Sequence, residues 1–528
     1  MSHTPSPPTR SLARRGLVWL GYAGCGVLAA LVGTAAGHLT ASLLDPASSP
    51  VLAVGSTVID LTPTPMKEWA IRTFGDDDKT VLVGSVMAGV LLLAGVAGLL
   101  ARRRPAAGAA LLALLTVLAG AAALARPQAA VTDVVPSLVA ALTGVGALLW
   151  LVRAADPDPW PAPPAGGSTS TTPSTSPSRR GVLVAAGVLG VAAAVMAGAG
   201  RWLTRLRLQP ADVDLPAATD RAPRFPAGLE ERFPEITALR TPAEDFYRVD
   251  TRLDVPLVDV DDWRLTIDGD VRSTVTLSFE DLLAMPLVER DITLTCVSNS
   301  VGGPYVGGAR WLGVRLTDVL DLAGVGTSAD QILSTDVDGM TISTPLDLAT
   351  DGRDALVAVG MNGAALPREH GFPVRLVIPG LYGFISATKW LERMTLTTYA
   401  AESAYWTDRD WATDAPIKLA SRIDTPGSFD TIDAGDAVIG GIAWAQHRGG
   451  VARVEVSIDG GAWQPARLGP DVGEDYWRQW WMPWAAEPGR HTLTVRAVNG
   501  DGETQMPVRA APFPEGASGL QEIVVDVE

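Results

Sequence analysis

The sequence predicts three parts in series: an all-α transmembrane bundle of five helices, then an α+β domain, then an all-β sandwich. Apolar residues crowd into runs of about 20 before residue 201, the length that crosses a ~30 Å hydrocarbon core. Between residues 243 and 412, short strand and helix signals mix without a βαβ period. From residue 413 onward, apolar residues alternate with a period of two between hairpin-type turns.

A length of 528 residues accommodates about three domains. Apolar residues make up 47% and mean hydropathy is +0.20, an excess confined to the membrane-like part. The remainder is acidic and carries most of the net charge of -16, which argues against a nucleic-acid partner. Of the two cysteines, Cys25 lies in an apolar run and Cys296 in the later part, so no disulfide framework is expected.

The apolar runs are residues 16–44, 80–101, 106–125, 131–152 and 181–200. They divide the first part into a cytoplasmic N-terminus (1–15), four transmembrane helices (16–152), a linker (153–180), a fifth transmembrane helix (181–200) and a connector (201–242). Arginines set the orientation. Arg10, Arg14 and Arg15, then Arg102 to Arg104, then Arg153, Arg179 and Arg180 all fall on one side of an odd number of spans. The positive-inside rule makes that side cytoplasmic and puts the later domains on the extracytoplasmic face of a bacterial cell membrane. Arg201, Arg205 and Arg207 run against this assignment.

Only His38 among the five histidines lies in a span, and Cys-x-x-Cys-His is absent. No haem is therefore expected in this chain, and a separate electron carrier, a cytochrome or a quinone-linked protein, is needed for any redox reaction. The linker is rich in Pro, Ser and Thr and reads as flexible. It ends in Ser178-Arg179-Arg180 before a Gly/Ala-rich span, which resembles a twin-arginine export signal.

The middle domain (243–412) starts near Asp245-Phe246-Tyr247-Arg248. Ser278 is an N-cap signal for a helix over 279–283, and Gly324 a stop signal after 316–322. No Gly-x-Gly-x-x-Gly follows a strand, which excludes a nicotinamide Rossmann site. Alternation at Ile292 and Leu294 delivers Cys296 to a Gly/Asn/Ser-rich loop running to Trp311. A second stretch, His370 to Trp390, offers His370, Arg375 and Lys389 with Gly371, Gly380 and Gly383. A soft thiolate suits a redox metal, but one cysteine and one histidine are too few for a closed zinc site. Such a metal must bring its own ligands, as an anionic organic cofactor does. Cations, glycines and backbone N–H groups are what that cofactor requires.

These two stretches closely resemble the sulfite-oxidase family of molybdopterin enzymes, over roughly residues 240 to 528. The resemblance implies an α+β molybdopterin-binding domain with a mononuclear molybdenum, one pterin, a small-molecule substrate and oxo transfer. It makes Cys296 the metal ligand. It assigns His370 and Arg375 to the pterin phosphate, and Ala387, Thr388 and Lys389 to further pterin contacts. Asn299 keeps the asparagine after the cysteine, the segment Tyr247, Arg248, Asp250, Thr251 and Arg252 matches another cofactor stretch, and Asp336 a further one. Because a pterin cofactor is assembled in the cytoplasm, its domain must cross the membrane folded, which suits twin-arginine export.

Departures bear on the substrate. Sulfite oxidases ring the metal with arginines, yet Val301 and Asp250 stand at two of those positions, leaving Arg478 as the retained member. Trp411 stands where the family has an active-site tyrosine. Each missing charge-assisted bond to a small dianion is worth about 1.5–3 kcal/mol, which disfavours sulfite. The alternatives are reductive removal of oxygen from a sulfoxide-like group, or a non-catalytic membrane-anchored binding module.

In the last part (413–528), Val454/Val456/Ile458 and Leu493/Val495/Ala497 alternate, with turns at Asp459-Gly460-Gly461 and Asn499 to Gly502. It resembles the immunoglobulin-like domain that accompanies the molybdenum domain, often as a dimerisation unit, so a homodimer through this domain is one expectation. Trp477, Trp480, Trp481 and Trp484 read as core or interface.

Overall fold

The computed structural model describes residues 10–63, 66, 69, 70, 73, 74, 77–126, 129–155, 179–208 and 213–528. The linker residues 156–178 and residues 1–9 lie outside them. The chain divides into two units: Met1–Gln209 with Asp250–Leu257, and Pro210–Val249 with Val258–Glu528.

The first unit is helical: α1 (Arg10–Leu43), α2 (Pro50–Leu61), α3 (Asp78–Ala101), α4 (Pro105–Leu124), α5 (Val135–Ala155) and α6 (Arg179–Arg207). All but α2 are long and apolar enough to cross a membrane. Small residues let α1 approach its neighbours. Side chains at Gly26 or Gly98 would overlap the facing backbone of α3 or α1, and a Cβ at Gly33 would lie 2.7 Å from the Ala140 carbonyl of α5. α2, begun by Pro50, answers to no apolar run above and is too short to span. The loops are tied by Arg126, 2.9 Å from Asp45 and 3.8 Å from Asp133.

The described residues of the second unit form four sheets. One has the order β2 (Val275–Ser278), β1 (Arg264–Gly269), β10 (Leu391–Thr397), β5 (Gln331–Asp336), β6 (Thr341–Pro345), with β1 and β10 parallel. The next runs β3 (Leu287–Thr295), β4 (Val306–Arg315), β7 (Leu356–Met361), β8 (Ala364–Ala365), and β9 (Arg375–Val377) joins β7. The Ser278 cap forms as expected: its hydroxyl accepts from Asp281 N at 3.1 Å while Asp281 accepts from Ser278 N at 2.9 Å. Gly324, at φ 67°, ends the helix Leu316–Ala323.

The all-β part pairs β11 (Ala420–Thr425), β13 (Gly435–Trp444), β17 (Arg478–Ala486) and β16 (Arg467–Leu468) in one sheet. The facing sheet holds β12 (Thr431–Ile432), β19 (Gln521–Val527), β18 (Gly489–Asn499), β14 (Val451–Ile458) and β15 (Gln464–Pro465). Ile439, Val454, Val456, Trp480, Leu493 and Val495 fill the space between them.

The connector follows β3. α6 runs on to Arg207, and further along Thr219 N donates to Leu287 O at 2.8 Å while Glu289 N donates to Asp220 O at 2.9 Å. β3 is an edge strand, and this segment satisfies its open backbone groups. The glycine-rich stretch after Cys296 is a loop only to residue 305, because Val306 starts β4.

Candidate active site

Strand β3 pairs with β4 in a continuous register from Leu287 opposite Val314 to Thr295 opposite Val306, which carries Cys296 to the sheet end. There the chain turns. Cys296 N donates to Tyr305 O at 3.0 Å, Asn299 N donates to Cys296 O at 3.0 Å, and Asn299 Oδ1 accepts from Tyr305 N at 2.9 Å. A Cβ at Gly303 would come within 2.5 Å of that Oδ1, so the loop closes around glycine.

The Cys296 thiol is buried. Burial pushes its pKa up, opposed by hydrogen bonds from the Ser298 backbone N–H and hydroxyl and by the charge of Lys389. Tyr247 stacks on Phe246 at 5.2 Å, and burial with the neighbouring thiol pushes its phenol well up. Tyr382 is also buried beside the cysteine, its phenol pushed up to about 12 by burial and by the thiol's charge.

The second stretch folds under the first. His370 is buried, with Nε2 2.8 Å from Ala243 O, and Gly371 at φ 108° turns the chain. A Cβ on Gly371 would meet Lys389 Cα at 3.0 Å. Arg375 is buried in β9, donating to His370 O at 3.1 Å and to Ala387 O at 3.4 Å, with its guanidinium 5.0 Å from the Trp311 ring centre. Lys389 lies 4.7 Å from the Trp390 ring centre and donates to Glu369 O at 3.3 Å. Leu376 N donates to Thr388 O at 2.9 Å, while the buried Thr388 hydroxyl has no partner among the described residues.

Among the described residues no three His, Cys, Asp or Glu side chains converge on a metal position. A metal held by Cys296 therefore needs ligands from a cofactor. The buried Arg375 and His370, the nearby Lys389, the orphaned Thr388 hydroxyl and the close approach at Gly371 fit an anionic, polar-edged group of that kind.

The other expected residues are placed less uniformly. Arg248 is exposed beside Tyr247, whereas Asp250, Thr251 and Arg252 belong to the helical unit. Asp336 accepts from Asp338 N at 2.8 Å and Met340 N at 3.0 Å, closing the turn between β5 and β6. Arg478 opens β17, its Nε 2.9 Å from Gly469 O and its NH1 2.6 Å from Asp471. Trp411 packs against Phe384, Trp406 and Phe513. Sequence reasoning missed Ser298 and Tyr382, although both lie inside the stretches it singled out.

Residues 252–406 match the oxidoreductase molybdopterin binding domain model. Human mitochondrial sulfite oxidase is 33% identical over 312 residues, covering 49% of this chain and 56% of that protein. Sulfite oxidase of Gallus gallus is 30% identical over 334 residues, covering 54% of this chain and 70% of that protein. The chain belongs to the sulfite-oxidase family of molybdopterin-dependent oxidoreductases. It spans about half the length of its mammalian relatives. Among solved structures, the sulfane dehydrogenase SoxCD from Paracoccus pantotrophus superposes with a TM-score of 0.48 and 23% identity, over 56% of this chain and 84% of that one.

Proposed function

We propose that this chain is a membrane-anchored oxidoreductase that works on a small molecule at the extracytoplasmic face of a bacterial membrane. The observation that carries the reading is the burial of Cys296 within electrostatic reach of Lys389, together with the buried His370 and Arg375 of the same stretch as Lys389. A molybdenum with a single pterin, held there, supplies two-electron oxo transfer. Cys296 anchors the metal through its thiolate. His370, Arg375 and Lys389 receive the cofactor's phosphate and polar edges, and Thr388 offers its hydroxyl. Asn299 holds the cysteine loop shut, so the thiol meets the metal in a fixed orientation. Electrons pass to or from a separate carrier, and no haem site is assigned to this chain.

Sulfite is disfavoured. Val301 replaces one arginine of the sulfite-oxidising pattern, Asp250 another, and Arg478 is engaged by Asp471. An uncharged substrate loses nothing from these changes, and the reductive removal of oxygen from a sulfoxide-like group is the alternative direction for the same site. The all-β part is read as the immunoglobulin-like companion domain, and a homodimer through it as the assembly.

The test is molybdenum analysis of the full chain purified from membranes of a cofactor-competent host. About one molybdenum per chain is expected, with turnover of a substrate screen abolished in Cys296→Ser. Folded wild-type protein free of molybdenum and pterin would leave a non-catalytic binding module as the default.

A further inference from the structure

The loop that carries Cys296 also forms one wall of a partly open cleft, through Thr295 and residues 299–302. The other wall is Tyr382 with residues 419–421, 444, 505 and 517–519. The chain itself ties the cleft to the cysteine, since Thr295 precedes Cys296 and Asn299 N donates to Cys296 O at 3.0 Å. Its space is small, about 20 Å³, which is room for one or two water-sized groups.

None of the fourteen lining residues is Asp, Glu, Lys, Arg or His, although 19% of the chain is charged. Burial keeps the Tyr382 phenol neutral, its pKa pushed up to about 12. Lys418 and Arg422, which flank residues 419–421 in sequence, are already paired. Lys418 lies 3.2 Å from Glu515, and Arg422 lies 2.6 Å from Asp424 while its other nitrogens donate to Gly303 O at 3.0 Å and Thr237 Oγ1 at 2.6 Å. What the lining offers is neutral hydrogen bonding. The buried Thr295 hydroxyl and Trp444 indole N–H have no partner among the described residues, and an indole N–H can only donate. An anion entering here would lose its water and gain no counter-charge, whereas a neutral acceptor oxygen loses far less.

We propose that this cleft is the substrate-selecting part of the molybdenum site and takes a small uncharged molecule with an acceptor oxygen in preference to an oxyanion. Val301, half-buried in its wall, is the specificity-determining residue. The inference rests on Cys296 holding the metal.

The test uses the full chain purified with its cofactor and two probes that share a tetrahedral sulfur and differ in charge, dimethyl sulfone and sulfate. Sulfone binding is read from broadening of its methyl NMR signal, and sulfate binding from relief of that broadening, against chloride at equal ionic strength. The wild type should bind the sulfone, with sulfate competing no better than chloride. In Val301→Arg sulfate should compete about tenfold better or more, the fold-change of one charge-assisted hydrogen bond, while Val301→Met keeps the wild-type order. Trp444→Phe, which keeps an aromatic ring and removes the N–H, should weaken sulfone binding several-fold. Strong sulfate competition in the wild type, absence of sulfone broadening, or unchanged sulfate competition in folded Val301→Arg would each overturn the proposal. If Val301→Arg does not fold, the wild-type order and Trp444→Phe decide, and undiminished sulfone binding in Trp444→Phe would overturn it. Molybdenum missing from the wild type would sink the metal site instead, and occupancy measured on every sample separates the two failures.

Discussion

At Asp475, burial and charge pull against one another. The residue precedes Tyr476 and Trp477, and its backbone carbonyl accepts from Thr293 N at 3.0 Å, so it is drawn into the contact between the sandwich and β3. Desolvation raises its pKa to about 6, aided by Glu474 and opposed by His447 and Arg353, and one carboxylate oxygen has no partner among the described residues. The folded state holds this proton more tightly than the unfolded one, where the usual value is 3.8. Stability from this group is therefore full below about pH 4 and is lost as pH rises through about 6. A shift of this size is worth at most about 3 kcal/mol. Asp475→Asn should raise the thermal midpoint at pH 7 to 8 and leave it nearly unchanged near pH 3.5. Equal midpoints at both pH values would show that the carboxylate is better solvated than its position indicates. Nothing in the sequence marks this residue, because its environment comes from Thr293 and His447, far away in the chain. Cys296, His370 and Arg375 stand out locally as chemical types, and what the structure adds is their burial. Arg478 was legible as a type only, because Asp471 and Gly469, which hold it, are brought to it by the β16–β17 hairpin.

Strand β4 explains why its leading residues are glycines. A Cβ at Gly307 would come 2.7 Å from the Phe246 ring, and one at Gly308 would come 2.6 Å from the Tyr476 ring carbon Cζ. The two positions face opposite sides of the sheet, so the strand is clasped between Phe246 below the cofactor stretch and Tyr476 of the sandwich. Gly308→Ala should therefore lower stability by about 1–3 kcal/mol, seen as a lower urea midpoint of the purified full chain, since rigid rings on a packed strand cannot yield. An unchanged midpoint would mean that Tyr476 swings aside, contrary to its hydrogen bond to Leu239 O at 2.9 Å. Glycine is a loop signal when read locally, which is why this strand was expected as loop. The long apolar helices and the alternating sandwich strands needed no distant partner to declare themselves, so they were read at nearly their observed positions. The segment laced along β3 was hidden because it has no periodicity: only its backbone is used, to satisfy an edge strand.

For the molecule as a whole, the question is which side of the membrane each end of the bundle faces. Arginines 102 to 104, 153, 179 and 180 mark one end, but Arg201, Arg205 and Arg207 lie at the other. The structure gives Arg207 a separate occupation. Its guanidinium donates to Ser42 O at 2.9 Å and Leu44 O at 3.2 Å, where the last carbonyls of α1 lack helical partners. A cation there complements the negative end of the helix dipole, so Arg207 serves the fold and is discounted as an orientation signal. The same contact requires α1 and α6 to end on the same side, as five spans demand. With Arg207 set aside, the basic clusters are those that the proposed orientation, a cytoplasmic N-terminus and an extracytoplasmic molybdopterin domain, requires. Reporter fusions test this. Alkaline phosphatase, active only outside the cytoplasm, should be active when fused after residue 208 and inactive when fused after Arg153. The reverse pattern would place the site in the cytoplasm, remove any need for folded export, and make a soluble cytoplasmic electron carrier the partner to seek. Replacing Arg207 by Gln should leave the fusion pattern unchanged while lowering stability by about 1 kcal/mol, because a capping cation is lost and an orienting charge is not.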